Sequence, residues 1–413
     1  MKASNRLLGI NGIGRIGKLT LWNHLSIGYF DGIVINAGRE IGKGIDDIIH
    51  YLTKDSTYGA LDRFLYGYSG KTANVKILNE QERILEMNGI PVKILTKARN
   101  PKDIAWKSEG VKLVVDCTGV FVDPTVPADH AKGSLRGHLE AGAEKVILSA
   151  PFKIGAKGMC MPEDSGMFVY GINHEKYDPE KHQVLSATSC TTTGLSHMMK
   201  PLLAHVETKR ILTASMTTIH SATNTQSILD AAPSAGSSDL RKDRSTFNNM
   251  IPTSTGAAIA LEVVMPEIKD IGFMADSIRI PTSTVSLISL NLTFHAQLDA
   301  DGNPIITTEF INELYRHAGE NGQKSLLIYS DAQNVSSDMM GQRAAIVIEG
   351  QETHTRTGYL PVDYHELQRM GIERTEDMNL PVTHAKIFGW YDNEYGSYVN
   401  CLGQLTCHVA AQL

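Results

Sequence analysis

Three closely spaced glycines near the start of the chain constrain the fold more than any other feature. The segment Leu7 to Asn11 has the apolar composition of a buried strand, and Gly12-Ile13-Gly14-Arg15-Ile16-Gly17 follows it directly. Lys18 to Leu25 then predicts a helix and Gly32 to Asn36 a second strand. A Gly-x-Gly-x-x-Gly turn within a strand–helix–strand unit is typical of dinucleotide-binding domains, because the glycines allow a tight turn and the helix start faces a pyrophosphate.

The alternation of strands and helices continues beyond the glycine-rich turn. Val111 to Val115 and Lys145 to Ser149 predict strands, and Ala131 to Ala141 between them predicts a helix. This order favours a parallel, doubly wound sheet, so we predict an α/β fold. Alternating apolar and polar residues from Ile288 to Phe294 indicate a second, mixed or antiparallel sheet with one half-buried face. Further strands are predicted at Asp276–Pro281 and Ala344–Glu349, and helices at Ser254–Met265, Thr308–His317 and Asn393–Leu413.

Length and composition exclude several classes of protein. With 413 residues the chain exceeds what one hydrophobic core usually supports, so two domains are expected. The net charge of −6, with charges of both signs interspersed, gives no indication of nucleic-acid or membrane binding, and no apolar run reaches the length of a membrane span. The five cysteines show no CxxC or zinc-site spacing, and the N-terminus lacks the apolar core of a signal peptide. We expect a cytoplasmic protein without a metal site.

Cys190 lies at the junction of a predicted strand and a predicted helix. Val184 to Ser189 has strand character, and the apolar spacing from Leu195 to Leu203 is that of an amphipathic helix. Unpaired N–H groups and the helix dipole favour a thiolate at such a position. His220 follows the β-branched run Ile211 to Ile219 and is expected at a strand end. These two residues are typical of an activated cysteine nucleophile; a buried structural cysteine and an unrelated loop histidine are the alternative.

Six segments in a fixed order give the chain a specific resemblance. It resembles the phosphorylating glyceraldehyde-3-phosphate dehydrogenases from end to end, apart from polar segments at 153–166, 232–239 and 351–384 that we interpret as inserted surface loops. The resemblance implies a Rossmann-type domain at 1–189, completed by a C-terminal helix at 393–413, a catalytic α+β domain at 190–392, and a homotetramer. The matching segments are 11–17, 54–59, 189–192, 217–220, 251–258 and 390–394.

The resemblance also implies a mechanism. Cys190 would attack the aldehyde of glyceraldehyde 3-phosphate, and His220 would activate the thiol and take the hydroxyl proton while hydride leaves for NAD or NADP. Inorganic phosphate would then attack the thioester. The implied cofactor-binding residues are Gly12, Gly14, Arg15, Ile16, Gly17, Arg39, Thr118, Gly119, Ser149 and Asn393. The implied phosphate-binding residues are Thr223 and Arg279 for the substrate phosphate, and Ser189, Thr191, Arg244, Thr255 and Gly256 for inorganic phosphate.

Several of these residues have simpler explanations. Thr255-Gly256 could be an ordinary helix start, although a helix start is itself an anion site. Arg241 is interpreted as a solvated charge, and Cys117, Cys160, Cys401 and Cys407 as structural. Arg279 stands between Ile278 and Ile280, and since an unpaired buried arginine is costly, a phosphate ligand explains it best.

Two other functions compete with a phosphorylating dehydrogenase. Erythrose-4-phosphate dehydrogenase shares the cysteine and histidine but hydrolyses its thioester, and the nearly complete second anion site argues against it. A non-catalytic dinucleotide-binding protein would be expected to lack at least one of Cys190, His220, Arg244 and Arg279. Ser397 stands where the family usually has an aromatic residue, and Tyr398 is the candidate substitute.

The end of the second strand bears on cofactor choice. NAD-binding fingerprints carry an acidic residue about 20 positions beyond the last glycine, where it bonds the ribose 2′-hydroxyl. This chain has Ala37 there and Arg39 two residues later. Without this carboxylate there is no like-charge repulsion of a 2′-phosphate, and Arg39 could pair with that phosphate. NADP use is therefore favoured. Alternatively, Ala37-Gly38 only forms a turn, and Glu40 or Asn36 serves NAD.

Overall fold

The chain folds into two compact units. The computed structural model describes residues 6–156, 158–237, 239–373 and 375–413. The first unit runs to Thr193 and includes Glu394–Leu413, and the second is Gly194–Asn393.

The strands and helices are as follows. The strands are β1 (Leu7–Asn11), β2 (Gly32–Asn36), β3 (Lys54–Asp55), β4 (Gly59–Ala60), β5 (Val75–Asn79), β6 (Ile84–Met87), β7 (Ile90–Leu95), β8 (Leu113–Asp116), β9 (Lys145–Leu148), β10 (Ser165–Met167), β11 (Val184–Ser186), β12 (Ile211–Ser221), β13 (Ile251–Ser254), β14 (Gly272–Ile280), β15 (Ser286–His295), β16 (Leu327–Ser330), β17 (Ile346–Glu349), β18 (His354–Val362) and β19 (Met378–Tyr391). The α-helices are α1 (Arg15–Ile27), α2 (Ile45–Thr53), α3 (Leu61–Tyr66), α4 (Trp106–Glu109), α5 (Arg136–Glu140), α6 (Cys190–Ala204), α7 (Ala257–Val264), α8 (Thr308–Glu320), α9 (Tyr364–Arg369) and α10 (Cys401–Ala410), with a π-helical turn at Tyr395–Asn400 before α10.

The first unit is built on a nine-stranded sheet in the order β10-β11-β9-β8-β1-β2-β7-β6-β5. The strands from β10 to β7 pair in parallel, which confirms the predicted doubly wound sheet, and β6 and β5 extend one edge as an antiparallel meander. Leu8 and Ile10 of β1 and Leu21 and Trp22 of α1 are fully buried in its core. In a parallel sheet, the carboxyl ends of β1, β2 and β8 lie at one edge, where dinucleotides bind in such folds.

The second unit contains an eight-stranded mixed sheet in the order β13-β14-β12-β15-β19-β17-β16, with β18 on β19. Strand β12 is parallel to β14 and antiparallel to β15, so His220 and Arg279 are register partners on neighbouring strands. The predicted antiparallel strand at 288–294 is confirmed as part of β15.

The prediction of a loop at 351–384 is wrong. Strand β18 pairs with β19 from His354–Lys386 to Val362–Met378, and α9 lies between the two strands. Polar residues and glycine concealed this hairpin because most of β18 is exposed, including the run from Gly358 to Pro361, so its composition resembles that of a loop. The segments 153–166 and 232–239 carry almost no regular structure in the part that is described. No helix among the described residues is both long and apolar enough to cross a membrane.

Candidate active site

The glycine-rich turn joins β1 to α1 and leaves room for a ligand. Gly12 has a φ of +91°, which favours glycine, and a Cβ on Gly17 would lie 1.9 Å from the Gly12 carbonyl oxygen. A Cβ on Gly14 would meet no atom within 4 Å, so the space beside the start of α1 is open. The first backbone N–H groups of α1, including that of Ile16, have no partner within the helix and can bind a pyrophosphate. The turn therefore fits a dinucleotide.

The side chain of Arg15 is committed to other residues. Its guanidinium pairs with Asp55 and with Glu394, and Lys18 Nζ lies 2.8 Å from the same Asp55 carboxylate. Burial opposes the charge on Arg15, but the two carboxylates hold the pKa of its guanidinium above its ordinary value. Arg15 can thus contact a cofactor through its backbone N–H, while its side chain fixes the start of α1.

A buried carboxylate organises the loop that follows β8. Asp116 is fully buried, and its Oδ1 accepts from the backbone N (2.9 Å) and Oγ1 (2.6 Å) of Thr118. Its Oδ2 accepts from Asn11 Nδ2 at 2.8 Å and lies 3.0 Å from His138 Nε2. Burial alone would raise the pKa of Asp116, but these donors lower it overall. The carboxylate therefore stays ionised and holds Thr118-Gly119 in place.

Two further observations extend this network. The Trp106 indole N–H donates to His138 Nδ1 at 2.9 Å, so His138 Nε2 carries the proton that faces Asp116. The Ser149 backbone N donates to the Asp116 carbonyl at 2.8 Å, which ties the ends of β8 and β9 together. The sequence analysis missed Asp116 and His138. An acidic residue that ends an otherwise apolar strand was the available signal for Asp116.

The end of β2 offers no carboxylate to a ribose 2′-hydroxyl. Asn36 is buried and donates to Asn11 Oδ1 (2.8 Å) and the Ala98 carbonyl (3.0 Å). The Glu40 carboxylate pairs with Arg83 at 2.8 Å and accepts from Thr96 Oγ1 at 2.8 Å. Asn36 and Glu40, the two alternatives to the missing acidic residue, therefore already bind other groups of the protein.

Two arginines flank the turn at Ala37-Gly38. Burial raises the pKa of the Tyr51 phenol, and the charge of the nearby, exposed Arg39 opposes this rise. The Tyr51 hydroxyl donates to the Ile13 carbonyl at 2.5 Å. Arg99, which the sequence analysis did not select, donates from Nε to the Gly38 carbonyl at 3.2 Å. Arg39 and Arg99 therefore both lie beside the Ala37-Gly38 turn.

Cys190 is the first residue of α6, as predicted. Ser189 caps the helix, because its Oγ accepts from the Thr192 backbone N at 3.1 Å. Thr188 has a φ of +61°, an uncommon backbone conformation for a β-branched residue, and Thr191 is buried. A strained turn followed by a capped helix start fixes the direction of the Cys190 side chain relative to the helix dipole.

The segment after Glu394 packs on the same turn. Ser397 Oγ donates to the Cys190 carbonyl at 2.7 Å, and Tyr398 Oη donates to the Thr188 carbonyl at 3.2 Å. Burial raises the pKa of the Tyr398 phenol well above its ordinary value. Ser397 and Tyr398 therefore both hold the turn that precedes Cys190.

Three of the other cysteines are unsuited to nucleophilic attack. Burial raises the thiol pKa of Cys117 and Cys401 to about 12 and that of Cys407 to about 11. Because the thiolate is the nucleophile, these thiols are inert at neutral pH. The structural interpretation fits these three residues, and Cys160, for which it stays a prediction, is exposed.

In the second unit, His220 and Arg279 lie side by side at the ends of β12 and β14. Arg279 Nη1 is 2.5 Å from His220 Nδ1 and 3.3 Å from the Ser221 carbonyl oxygen. His220 is 5% exposed, and burial, together with the Arg279 charge, lowers the pKa of its imidazole to about 3. His220 is therefore neutral at physiological pH, as a general base must be before it takes a proton.

Asn393 is held in one orientation near the same strand ends. Its Oδ1 accepts from Ser221 Oγ at 2.9 Å and from Ser286 Oγ at 3.0 Å. Since both bonds use the amide oxygen, the Nδ2 group is the donor that remains for another partner. The structure thus brings His220, Arg279 and Asn393 together at one end of the second sheet.

The surroundings differ among three residues predicted to bind inorganic phosphate, Thr255, Gly256 and Arg244, and Thr223, which was predicted to bind the substrate phosphate. Thr255 Oγ1 accepts from the Ala257 backbone N at 3.2 Å, and Gly256 is the residue before α7, so both lie at a helix start. Thr223 Oγ1 lies 3.0 Å from Thr225 Oγ1 in the loop after β12. Arg244 is exposed and donates from Nε to the Asp230 carboxylate at 3.0 Å, so a phosphate there would compete with Asp230.

Arg241 behaves as predicted for a solvated charge. Its side chain is 56% exposed and pairs with Asp239 at 2.8 Å.

Comparison with known proteins agrees with this division of the chain. Residues 6–124 match the family model described as the glyceraldehyde 3-phosphate dehydrogenase NAD binding domain, and residues 189–393 match that of the C-terminal domain. The chain is similar to glyceraldehyde-3-phosphate dehydrogenase 1 of Bacillus subtilis (strain 168), with 33% identity over 403 residues and 98% of each chain covered. It is 33% identical to the glyceraldehyde-3-phosphate dehydrogenase of Geobacillus stearothermophilus over 406 residues, again with 98% of each chain covered. Identity to that of Streptomyces coelicolor is 32% over 407 residues, covering 98% of this chain and 99% of the relative.

Proposed function

This chain belongs to the glyceraldehyde-3-phosphate dehydrogenase family, and we propose that it catalyses the phosphorylating oxidation of glyceraldehyde 3-phosphate to 1,3-bisphosphoglycerate. The observation that carries the proposal is the pairing of a neutral, buried His220 with Arg279 at adjacent strand ends. A base and a cation at this spacing suit a substrate that carries both an acidic proton and a phosphate.

The reaction begins at Cys190. Its sulfur forms a bond to the aldehyde carbon, and the resulting hemithioacetal keeps the former carbonyl oxygen as a hydroxyl. His220 takes the hydroxyl proton while the C1 hydrogen leaves with its electron pair, which yields a thioester on Cys190. A bound NAD or NADP supplies the acceptor for that hydride. Asn393 Nδ2 is the proposed donor to the nicotinamide carboxamide, because Ser221 and Ser286 occupy its oxygen.

The second half-reaction regenerates the cysteine. An oxygen of inorganic phosphate attacks the thioester carbon, and the Cys190 thiolate leaves as the acyl phosphate forms. Ser189, Thr191, Thr255, Gly256 and Arg244 are proposed to hold the attacking phosphate. Thr223 and Arg279 are proposed to hold the phosphate that the substrate already carries.

The central assay follows the absorbance of reduced nicotinamide with glyceraldehyde 3-phosphate, with and without phosphate. We expect sustained turnover only when phosphate or arsenate is present. Equal steady-state turnover without either anion would favour a hydrolytic enzyme of the erythrose-4-phosphate type. No formation of reduced nicotinamide under any condition would favour a non-catalytic dinucleotide-binding protein.

Replacement of the nucleophile provides the matched test. Cys190→Ser should remove nearly all activity because a serine hydroxyl is a much weaker nucleophile at neutral pH. Cys160→Ser is the control, since Cys160 is exposed and lies outside the proposed site. Iodoacetate should inactivate the wild type by alkylating Cys190, and inactivation with the label on another cysteine would contradict the assignment.

We further propose that the enzyme uses NADP, alone or with NAD. Support comes from Ala37, which replaces the expected carboxylate, and from Arg39 and Arg99 beside it. Ala37→Asp should shift kcat/KM toward NAD, because a carboxylate would repel the 2′-phosphate and bond the 2′-hydroxyl. Arg39→Ala and Arg99→Ala should weaken NADP more than NAD. A wild-type preference for NAD that Arg39→Ala leaves unchanged would contradict this proposal.

The proposed assembly and location follow from family membership. We propose a cytoplasmic homotetramer; free thiols such as those of Cys117 and Cys401 are in keeping with the reducing compartment. Sedimentation equilibrium on the purified protein tests the oligomeric state directly.

A further inference from the structure

The contacts of His220 present a conflict in hydrogen bonding. Its Nδ1 lies 2.5 Å from Arg279 Nη1 and 2.8 Å from the Ser221 carbonyl oxygen. A guanidinium nitrogen can only donate, so its contact with Nδ1 requires a lone pair there. The carbonyl oxygen can only accept, so its own contact with Nδ1 requires a proton there, although this oxygen also accepts from Arg279 Nη1 at 3.3 Å. One nitrogen of a neutral imidazole cannot satisfy both partners at once.

Each partner selects a different tautomer. When Arg279 donates to Nδ1, the single proton of the neutral ring is on Nε2, which then has no lone pair and cannot act as a base. When Nδ1 donates to the Ser221 carbonyl, Nε2 has its lone pair and can accept a proton. The Arg279 guanidinium and the backbone carbonyl of Ser221 thus select between an inactive and an active form of the same imidazole.

The surroundings of His220 favour this competition. The ring is buried against Tyr391, whose centroid lies 6.1 Å away, and the Tyr391 hydroxyl lies 2.6 Å from Thr218 Oγ1. Burial and the charge of Arg279, which comes from the neighbouring strand β14, both lower the pKa of His220. Because β12 and β14 are paired in register from Thr213–Gly272 to Ser221–Ile280, the guanidinium can move by side-chain rotation while the backbone stays fixed.

We propose that Arg279 is a positioning residue that keeps His220 in its inactive tautomer until the phosphate of the substrate draws the guanidinium away. A phosphate is negatively charged, whereas the neutral imidazole is not, and a phosphate forms bidentate bonds with a guanidinium. The phosphate therefore competes successfully with Nδ1 for Arg279. His220 Nδ1 then takes the Ser221 carbonyl as its partner, and Nε2 becomes the base. The proposal rests on the proposed function and deepens it, because it makes the base depend on a phosphorylated substrate.

The test compares two aldehydes in a single turnover. The burst of reduced nicotinamide is measured without phosphate, with glyceraldehyde 3-phosphate or with unphosphorylated glyceraldehyde, in the wild type and in Arg279→Leu. With glyceraldehyde 3-phosphate, Arg279→Leu should slow the burst because a phosphate ligand is lost. With glyceraldehyde, the same variant should accelerate it by about tenfold, since no guanidinium holds His220 in the inactive tautomer. A residue with only a binding or structural role would not produce this reversal of sign.

Two additions keep the test decisive. Arg279→Gln removes the charge with less change in polarity, and it is judged by the same criterion if Arg279→Leu does not fold. Arg241→Leu is the matched control, because Arg241 is exposed and pairs with Asp239 outside the proposed site. Phosphite dianion added to the wild type should also accelerate the burst with glyceraldehyde, and it should have no such effect in Arg279→Leu.

The possible failures are distinguishable. If the wild type gives no burst with glyceraldehyde 3-phosphate, the proposed function is wrong. If the wild type gives a normal burst, but Arg279→Leu and Arg279→Gln leave the glyceraldehyde burst unchanged or slower, the tautomer proposal alone is overturned. Failure of phosphite to accelerate the wild type would overturn it as well.

Discussion

Two buried imidazoles, one in each unit, have the same shifted pKa for different reasons. His24 in α1 and His220 in β12 both have a pKa lowered to about 3. Burial alone lowers that of His24, and neither of its ring nitrogens has a hydrogen-bond partner within the described residues. The pKa of His220 is lowered by burial and by the charge of Arg279, which contacts the ring directly.

The difference between them teaches how a buried histidine becomes useful. His24 packs against Phe30, with ring centroids 5.1 Å apart, and among the described residues no charged group shifts its pKa. His220 adjoins the Arg279 guanidinium and the Ser221 carbonyl, and in the proposed tautomer change these two partners exchange when a ligand binds. A perturbed pKa identifies a catalytic candidate only when a specific charged partner accompanies the burial.

The largest expected effect separates the two histidines by activity. His220→Asn should lower kcat by about 10²–10⁴-fold, the usual contribution of general-base catalysis. His24→Leu should leave kcat unchanged, because the ring lies in the hydrophobic core of the first unit. Steady-state kinetics with glyceraldehyde 3-phosphate and phosphate check both variants. Equal losses in the two variants would show that burial, rather than the Arg279 contact, determines the effect.

A third buried imidazole tests what full hydrogen bonding contributes. His138 lies between Trp106 and the Asp116 carboxylate, so unlike His24 it has a partner for each nitrogen. Asp116→Asn should destabilise the protein by about 1–3 kcal/mol. The substitution replaces a carboxylate oxygen that accepts hydrogen bonds with an amide NH2 group, and this donor would face the donors that surround Asp116. It should also raise the dissociation constant of the dinucleotide, because Thr118-Gly119 loses its anchor.

Urea denaturation and cofactor titration measure these two effects of Asp116→Asn. Asp31→Asn is the control, because Asp31 forms an exposed pair with Arg6 and such pairs contribute about 0–1 kcal/mol. If Asp116→Asn weakened cofactor binding no more than Asp31→Asn, the role assigned to the Asp116 network in the cofactor loop would be wrong.

The smallest expected effect is a change in the pH dependence of stability. An unfolded histidine has a pKa of about 6.5, whereas folded His24 stays neutral down to about pH 3. Between these values the unfolded state binds one more proton, so stability falls as the pH falls, by about 1.4 kcal/mol per pH unit. His24→Leu should remove about 2 kcal/mol of the loss in unfolding free energy between pH 7.5 and pH 5.

The control for the pH experiment is an exposed histidine of the same unit. His50 in α2 is exposed, and His50→Leu should leave the slope of stability against pH as in the wild type. Identical slopes for His24→Leu and the wild type would mean that His24 is protonated or hydrated in the folded protein.

Regular periodicity predicted the central strands of the first unit. Strands β1, β2 and β9 lie where the sequence indicated them, because buried parallel strands are continuous apolar runs bounded by glycine or polar residues. The hairpin of β18 and β19 was missed because its register with β19, rather than its own composition, makes β18 a strand. Helix α7 begins at Ala257 instead of Ser254, since Thr255 and Gly256 form the turn before it.

The types of residue in the candidate site could be predicted from the sequence, but their spatial arrangement could be predicted only in part. The sequence identified Cys190 at a helix start and His220 at a strand end, because each follows from local pattern. It could not show that Arg279 would lie against His220, which depends on the parallel register of two strands 59 positions apart. Nor could it show that Glu40 would be engaged by Arg83, or that Arg99 would adjoin Gly38.

The sequence by itself therefore determined the α/β class and the dinucleotide turn, and it supplied the proposed reacting residues. These depend on local geometry: a turn that only glycine can form, and the alternation of apolar residues. Only the tertiary structure decided which donors meet at Asp116 and which partners compete for His220 Nδ1. Hydrogen bonding is directional and short in range, so the state of a buried group depends on neighbours that strand pairing brings together from distant parts of the chain.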